Sequence, residues 1–359
     1  MPRVETMNSL ERVLTTLGHR EPDRVPLFLL VTMHGAKELG LSIREYFSKA
    51  EHVVEGQLRM RKKYRNDCLY SFFYAPVEVE AWGADIIYVE DGPPNTGRPF
   101  LQNREDILRL VPPRIDQSPS LLKVLRAEEM LKARVGDEVP ILGVVMSPFS
   151  LPVLQMGFDR YLDLMYDRPA LFEHLMRVNE EFCVAWANAQ LRAGATAITY
   201  YDPVSSTTIV SREMYLRTGF PVAMRTIGRI LGPTATHYAS GLCLPIADLI
   251  ADTGTRVVGV SVDEDMAKIK KASGGRLAVL GNLNGIEMRN WSARHTEQMV
   301  KAAIANAGPG GGFILSDNHG EIPFQVPEEV LFAVSDAVQK WGRYPLDWVS
   351  EAQRGHVDA

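Results

Sequence analysis

Five short apolar runs in the C-terminal half of the chain end on side chains able to bind a cation or move a proton. Asp202 follows residues 196–201, His237 follows 234–236, and Asp263 follows 257–262. Asn282 follows 277–281, and Asp317, Asn318 and His319 follow 313–316. A neutral imidazole at His237 can ligate a metal, donate a proton or bind a carboxylate. His237, Asp263 and His319 together make a set of N/O ligands with one coordination position left open, as in a catalytic rather than a structural zinc site. The residue types leave the third ligand open among Asp317, His319 and Glu321. Blander roles compete at each position: a hydrogen-bonded strand end for His237, a cap for the helix starting near Met266 for Asp263, and a polar turn before Pro323 for residues 317–321.

Asp202 comes directly after Tyr200 and Tyr201, where it can orient substrate or a ligand imidazole, or cap the polar loop 205–208. His34 follows the first apolar run and Asn282 lies in a Gly-Asn-Leu-Asn-Gly turn. The expected catalytic group is Asp202, His34 and Asn282, with turn formation the competing role for Asn282. Phe72, Phe73 and Tyr74, with Tyr200 and Tyr201, offer aromatic walls for a flat apolar ligand. Core packing competes for at least one of the first three.

These residues need elements that bring positions more than a hundred apart into one place. Three further apolar runs, 25–30, 67–74 and 140–145, precede the five and make eight. All are short and nearly continuously apolar, as strands covered on both faces are. Helical patterns fill the gaps at 42–64, 120–135, 169–192, 211–230, 244–251, 265–272, 293–306 and 327–341. Strand–helix alternation repeated eight times predicts an α/β chain folded as a single (β/α)₈ TIM barrel. Strand ends then converge on the face where such barrels do chemistry. Wide spacing near the start predicts N-terminal additions. Residues 81–99 read as an insertion after strand two, a short strand and a proline-rich turn, serving as lid, docking surface or plain loop. One domain is expected over 1–349, with a frayed tail at 350–359.

Composition narrows the function. The chain has 359 residues, 46% of them hydrophobic, and a net charge of −5 with both signs interspersed. No basic stripe suggests nucleic-acid binding. Three well-separated cysteines provide no disulfide framework, so a reducing cytoplasm is the default location. No apolar stretch reaches the ~20 residues of a membrane span, and the start lacks a signal-peptide core. The glycine-rich run 308–312 precedes a strand instead of opening a helix, unlike a nucleotide-binding fingerprint.

Glu11-Arg-Val, Glu21-Pro-Asp-Arg-Val-Pro26, Val144-Val-Met-Ser-Pro-Phe-Ser150, Gly281-Asn282, Gly312-Phe-Ile-Leu315 and Glu321-Ile-Pro323 resemble the uroporphyrinogen decarboxylase-like superfamily over nearly the whole chain. The resemblance implies the same barrel. True decarboxylases of that superfamily carry an arginine-rich run after strand one and an aspartate after strand two. Here those places read Thr32-Met-His-Gly-Ala-Lys37 and Phe72-Phe-Tyr-Ala-Pro76, so a tetrapyrrole rich in carboxylates is not the expected substrate. The other branch transfers methyl groups with zinc and a corrinoid (cobalamin). Its thiol-methylating members bind zinc through His-x-Cys and a second Cys. His237 matches the histidine, Ala239 replaces the first cysteine, and the second falls within Asp317–Gly320. Loss of both thiolates makes an N/O-bound Zn²⁺ the expected cofactor, a stronger Lewis acid suited to an ether oxygen. The chain looks most like the substrate-side methyltransferase of O-demethylation systems, moving methyl from a small methoxylated aromatic to cob(I)alamin on a partner corrinoid protein. Alternatives are transfer from a methylcorrinoid to a thiol or tetrahydrofolate, and a non-catalytic corrinoid- or tetrapyrrole-binding barrel.

Overall fold

A computed structural model describes residues 6–349; the expected tail at 350–359 lies outside the described residues. Seven parallel strands follow one another in chain order: β1 (Leu69–Tyr70), β4 (Ile141–Met146), β5 (Ala197–Tyr201), β6 (Thr234–His237), β7 (Val257–Gly259), β8 (Ala278–Leu283) and β9 (Phe313–Asp317). The intervening β2 (Ile86–Ile87) and β3 (Asn95–Thr96) form a separate antiparallel hairpin. That hairpin is the insertion expected at 81–99, with two strands in place of one.

Residues 25–30 provide the eighth side of the barrel without forming a regular strand. Leu27 bridges Leu315 in parallel, Phe28 N–H donates to the Leu315 carbonyl at 2.8 Å, and Asp67 N–H donates to the Leu27 carbonyl at 2.8 Å. The irregularity has a local cause. Pro26 has no N–H to give. The amides of Leu27 and Leu29 go to the side chains of Asp67 (2.9 Å) and Asn66 (2.8 Å) instead of to a neighbouring strand. Side chains thus satisfy backbone groups that a ladder would otherwise pair. The expected strand 67–74 shortens to β1 in the same region.

Helices cover the outside, among them Pro119–Val135, Pro169–Ala193, Ala293–Ala307 and Glu328–Trp341. The helix expected over 42–64 is two, Ile43–Tyr46 and Ala50–Tyr64, the first closed by a reciprocal Ser42–Glu45 capping box. The pattern at 211–230 also divides, at Thr218. An N-terminal helix, Ser9–Leu17, is an addition that lies across the lower end of the barrel, where Leu10, Val13, Leu14 and Leu17 face its interior.

The motif Glu21-Pro-Asp-Arg forms part of a buried ion network beneath the barrel. Arg12 pairs with Asp23 and Asp67, both at 2.7 Å, and Arg24 reaches Asp67 at 2.6 Å. The Arg12 guanidinium holds the Asp23 carboxyl below its ordinary range against the opposing effect of burial. Among the described residues no helix is long and apolar enough to cross a membrane.

Candidate active site

Side chains alternate across each strand, so parallel register decides which residues meet inside the barrel. Tyr201 pairs with His237, and His237 with Gly259. Tyr201 and His237 therefore stack face to face, with centroids 4.8 Å apart and an interplanar angle of 22°. Gly259 makes the stack possible: a Cβ there would lie 2.4 Å from His237 Cδ2. The neighbouring Tyr200 points outward and is fully buried, its hydroxyl without a partner among the described residues.

Above this stack, at the C-terminal mouth, lies a cavity of about 190 Å³. Phe72, Met146 and Tyr201 form apolar walls, while Glu78, His319 and Glu321 provide polar groups. Among the described residues no lysine or arginine lines it. Glu78 is the residue that sequence reasoning missed. It lies on the short helix Val77–Ala81, just past the aromatic run, and is 3% exposed. One oxygen accepts from Met146 N–H at 3.0 Å, and Oε2 is buried without a formed hydrogen bond, the nearby Trp186 indole only partly offsetting its burial. Burial pushes its carboxyl up to about 8, so it is largely protonated at neutral pH. In Val77-Glu-Val-Glu80 it reads as an ordinary acid in a helix's first turn. The one available signal was its position after strand two, where the resemblance placed a carboxylate.

Strand β9 delivers the acidic turn. Asp317 accepts from the backbone N–H groups of His319 (2.8 Å) and Gly320 (2.9 Å). Its other oxygen is buried without a partner among the described residues, and burial raises its carboxyl to about 6. Glu321 accepts from Thr32 Oγ1 and from Met33 N–H at 3.2 Å. Burial, aided by Asp317, raises it to about 7. Gly320 has φ +96°, and a Cβ there would collide with the Tyr201 hydroxyl. Glycine thus lets the turn close down on Tyr201.

The expected ligand set His237, Asp263 and His319 does not fit a zinc ion. Asp263 is exposed, beyond the end of β7, and Asp265 is the residue that caps the Met266–Ala272 helix. His237 is buried, and its Nδ1 accepts from Ala239 N–H at 3.0 Å. A backbone N–H on Nδ1 keeps the neutral ring's proton on Nε2, whereas a metal-bound imidazole donates from the nitrogen away from the metal. Burial, reinforced by His319, lowers His237 to about 4, so the ring is neutral. With the Asn318 amide oriented to satisfy its neighbours, its nitrogen donates to His319 Nδ1 at 2.7 Å, leaving that ring also with its proton on Nε2. Among the described residues no three His, Cys, Asp or Glu side chains surround a common point. Cys68, Cys183 and Cys243 are buried and unpaired.

The expected catalytic group is dispersed. Asp202 is buried beneath the mouth, accepting from Ser147 Oγ (2.6 Å) and Ser150 Oγ (2.8 Å), while its N–H donates to the His237 carbonyl at 2.8 Å. The Ser147-Pro-Phe-Ser150 segment thus fixes the ends of β4, β5 and β6 together through Asp202. His34 is buried, with Nε2 3.1 Å from the Pro323 carbonyl and its ring edge-on to Phe324. The Asn282 amide donates to the carbonyls of Ser261 (2.8 Å) and Glu264 (3.1 Å) and shapes the turn. Of the aromatic set, Phe72 and Tyr201 line the mouth. Phe73 and Tyr74 pack on Phe47 in the core.

The comparisons agree with this architecture. The uroporphyrinogen decarboxylase (URO-D) family profile matches residues 8–341. The uroporphyrinogen decarboxylase of Thioalkalivibrio sulfidiphilus is 24% identical over 359 aligned positions, covering 94% of this chain and 99% of the relative. That of Aromatoleum aromaticum is 27% identical over 279 positions, covering 74% and 75%. Among solved structures, a methyltransferase from Methanosarcina mazei superposes with a TM-score of 0.81 at 22% identity, covering 93% of this chain and 99% of that one. A B12-independent methionine synthase from Shewanella sp. W3-18-1 gives 0.53 at 12% identity, covering 83% and 89%. The eight-sided barrel, its register and the profile match over residues 8–341 together place the chain in the uroporphyrinogen decarboxylase family.

Proposed function

We propose that this chain is a methyltransferase that takes the methyl group of a small methoxylated aromatic and delivers it to cob(I)alamin carried by a partner corrinoid protein. The observation that carries the reading is the protonated carboxyl of Glu78, its Oε2 without a formed hydrogen bond, on an aromatic-walled mouth that has no cationic lining among the described residues. A substrate bearing many carboxylates would meet Glu78 and Glu321 with no lysine or arginine among the described residues to offset them, which argues against decarboxylation of a tetrapyrrole. A neutral arene fits such walls.

The chemistry balances without a protein nucleophile. Cobalt(I) supplies the electron pair that forms the Co–C bond, and the C–O bond breaks towards the aryl oxygen. That oxygen would leave as a phenolate, whose conjugate acid has a pKa of about 10, as for tyrosine. Glu78 Oε2 gives it a proton as the bond breaks, so a neutral phenol departs and the carboxylate takes up a proton from solvent. The Nε2–H of His319 donates to the same developing charge in a site with little water, where a preorganised donor counts most. No step is assigned to zinc, because the two imidazoles present N–H groups where a metal needs lone pairs. The fold shared with the Methanosarcina mazei methyltransferase is compatible with this reading.

The test is turnover of 2-methoxyphenol with free cob(I)alamin under reducing conditions, followed by the cobalamin absorbance change. Methylcobalamin and catechol in equal amounts are expected. Methyl gain by a thiol from methylcobalamin, with no attack on 2-methoxyphenol, would replace the proposal by transfer in the opposite direction.

A further inference from the structure

Barrel interiors of this class are normally filled by interleaved layers of bulky side chains. Here the inward positions of three adjacent strands carry small residues: Ala197 and Thr199 on β5, Ala235 on β6 and Gly259 on β7. Register sets Thr199 against Ala235, so these small residues adjoin and leave a gap along the barrel axis, while Gly259 admits the His237 ring that closes its upper end. The gap is a cavity of about 80 Å³, against the ~10–15 Å³ that a single water needs on the same measure. Ala197 and Ala235 are only partly buried although they lie within central strands, because they border this space. Its walls are almost wholly apolar, with Phe28, Leu142, Leu280 and Ile314 opposite the small residues.

The two ends of the cavity differ. At the mouth the Tyr201–His237 stack closes it, and the Tyr201 hydroxyl is tucked against Gly320. At the bottom it meets a surface groove, with Leu17, Pro233, Thr234 and Arg256 lining both. Two large apolar side chains stand exposed around this lower end: Leu14, which lines the cavity at 55% exposure, and Leu231, between groove residues Ile230 and Gly232, at 81%. Arg256 is exposed at the rim, and its guanidinium makes no ion pair or hydrogen bond among the described residues. An enclosed apolar shaft with an unpaired cation at its entrance matches an amphiphile with an anionic head and a straight hydrocarbon tail.

We propose that the barrel axis binds the chain of a medium-length fatty-acid-type amphiphile, entered from the end opposite the mouth, with its carboxylate on Arg256. From Thr234 to His237 the shaft runs three strand steps, roughly 8 Å along the axis after allowing for the strand tilt, which suits a chain of about six to eight carbons. The site is separated from the mouth by Tyr201 and does not depend on the methyl-transfer reading. It gives the barrel a ligand on each side of the stack, so occupancy below biases Tyr201, which lines both cavities and stacks on His237.

Calorimetric titration of the full chain with hexanoate, heptanoate and octanoate tests it. One site per chain is expected, with affinity rising roughly fourfold per added methylene while the shaft has room. Arg256→Ala should weaken octanoate about ten- to a hundredfold, as loss of a charged hydrogen bond does, and octanol should bind wild type and this variant alike. Ala235→Leu should abolish binding by filling the shaft. If that variant does not fold, Leu14→Glu at the exposed rim serves in its place, weakening binding by placing a like charge at the entrance. Absence of saturable binding, affinity independent of chain length, or unchanged binding in both Ala235→Leu and Leu14→Glu would overturn the proposal.

Discussion

At the scale of residues, the mouth is governed by how burial sets protonation. Glu78 is held at about 8, so it is an acid at neutral pH and loses its proton as pH rises through that value. Proton donation by Glu78 then predicts a rate that is steady near neutrality and falls above about pH 8. Glu78→Gln should lower kcat by roughly 10²-fold or more and remove that fall from the profile. The same variant should not be less stable in alkali. A carboxyl whose folded pKa lies above its unfolded one opposes folding once pH exceeds the unfolded value, so an uncharged amide relieves a cost that grows between about 4.5 and 8. Thermal melting at pH 8.5, with the variant at or above wild type, checks this separately from activity. Gly259→Ala makes a different residue-scale test. Its methyl would press on His237 at 2.4 Å, and overpacking of this kind costs ~1–3 kcal/mol, measurable by urea unfolding. Part of the mouth's lining was legible in the sequence, though not its chemistry, since His319 was expected as a metal ligand. Phe72, Tyr201 and His319 were expected in the site and line the mouth. Glu78 was not, because an acid in a first helical turn looks the same whether it faces solvent or a cavity.

At the scale of elements, strand ends and short side-chain bridges position these groups. Eight apolar runs marked the eight sides of the barrel because strands buried on both faces read as unbroken hydrophobic stretches. Their lengths were less visible. The 25–30 segment and β1 are shortened by Asp67 and Asn66, whose side chains take amides that a ladder would use. That exchange depends on residues distant in sequence. The partners of Asp202 were hidden for the same reason: its position after β5 suggested either chemistry or a cap for loop 205–208, and its carboxylate accepts from Ser147 and Ser150 instead. Asp67 makes the element-scale prediction. Asp67→Ala leaves the guanidinium groups of Arg12 and Arg24 buried without the carboxylate they share. It should destabilise the fold by ~3–5 kcal/mol in urea unfolding, with little change in the mouth's pH profile.

At the scale of the whole molecule, the chain is a URO-D family barrel whose mouth has aromatic walls and protonated acids in place of cations. Family membership fixes the scaffold, and the site's own residues select the chemistry. The histidine tautomers bear most directly on how the proposed ether substrate would be activated. With Ala239 N–H on His237 and the Asn318 amide on His319, both rings act as donors, so activation by proton donation predicts that extensive dialysis against a chelator leaves turnover unchanged. The most direct measurement of the central claim is single-turnover methyl transfer from 2-methoxyphenol to cob(I)alamin, run on wild type and Glu78→Gln across pH 6 to 9. The account predicts stoichiometric methylcobalamin from wild type, a decline above about pH 8, and a slow, pH-independent rate from the variant. Equal rates and equal pH profiles for the two proteins would contradict it.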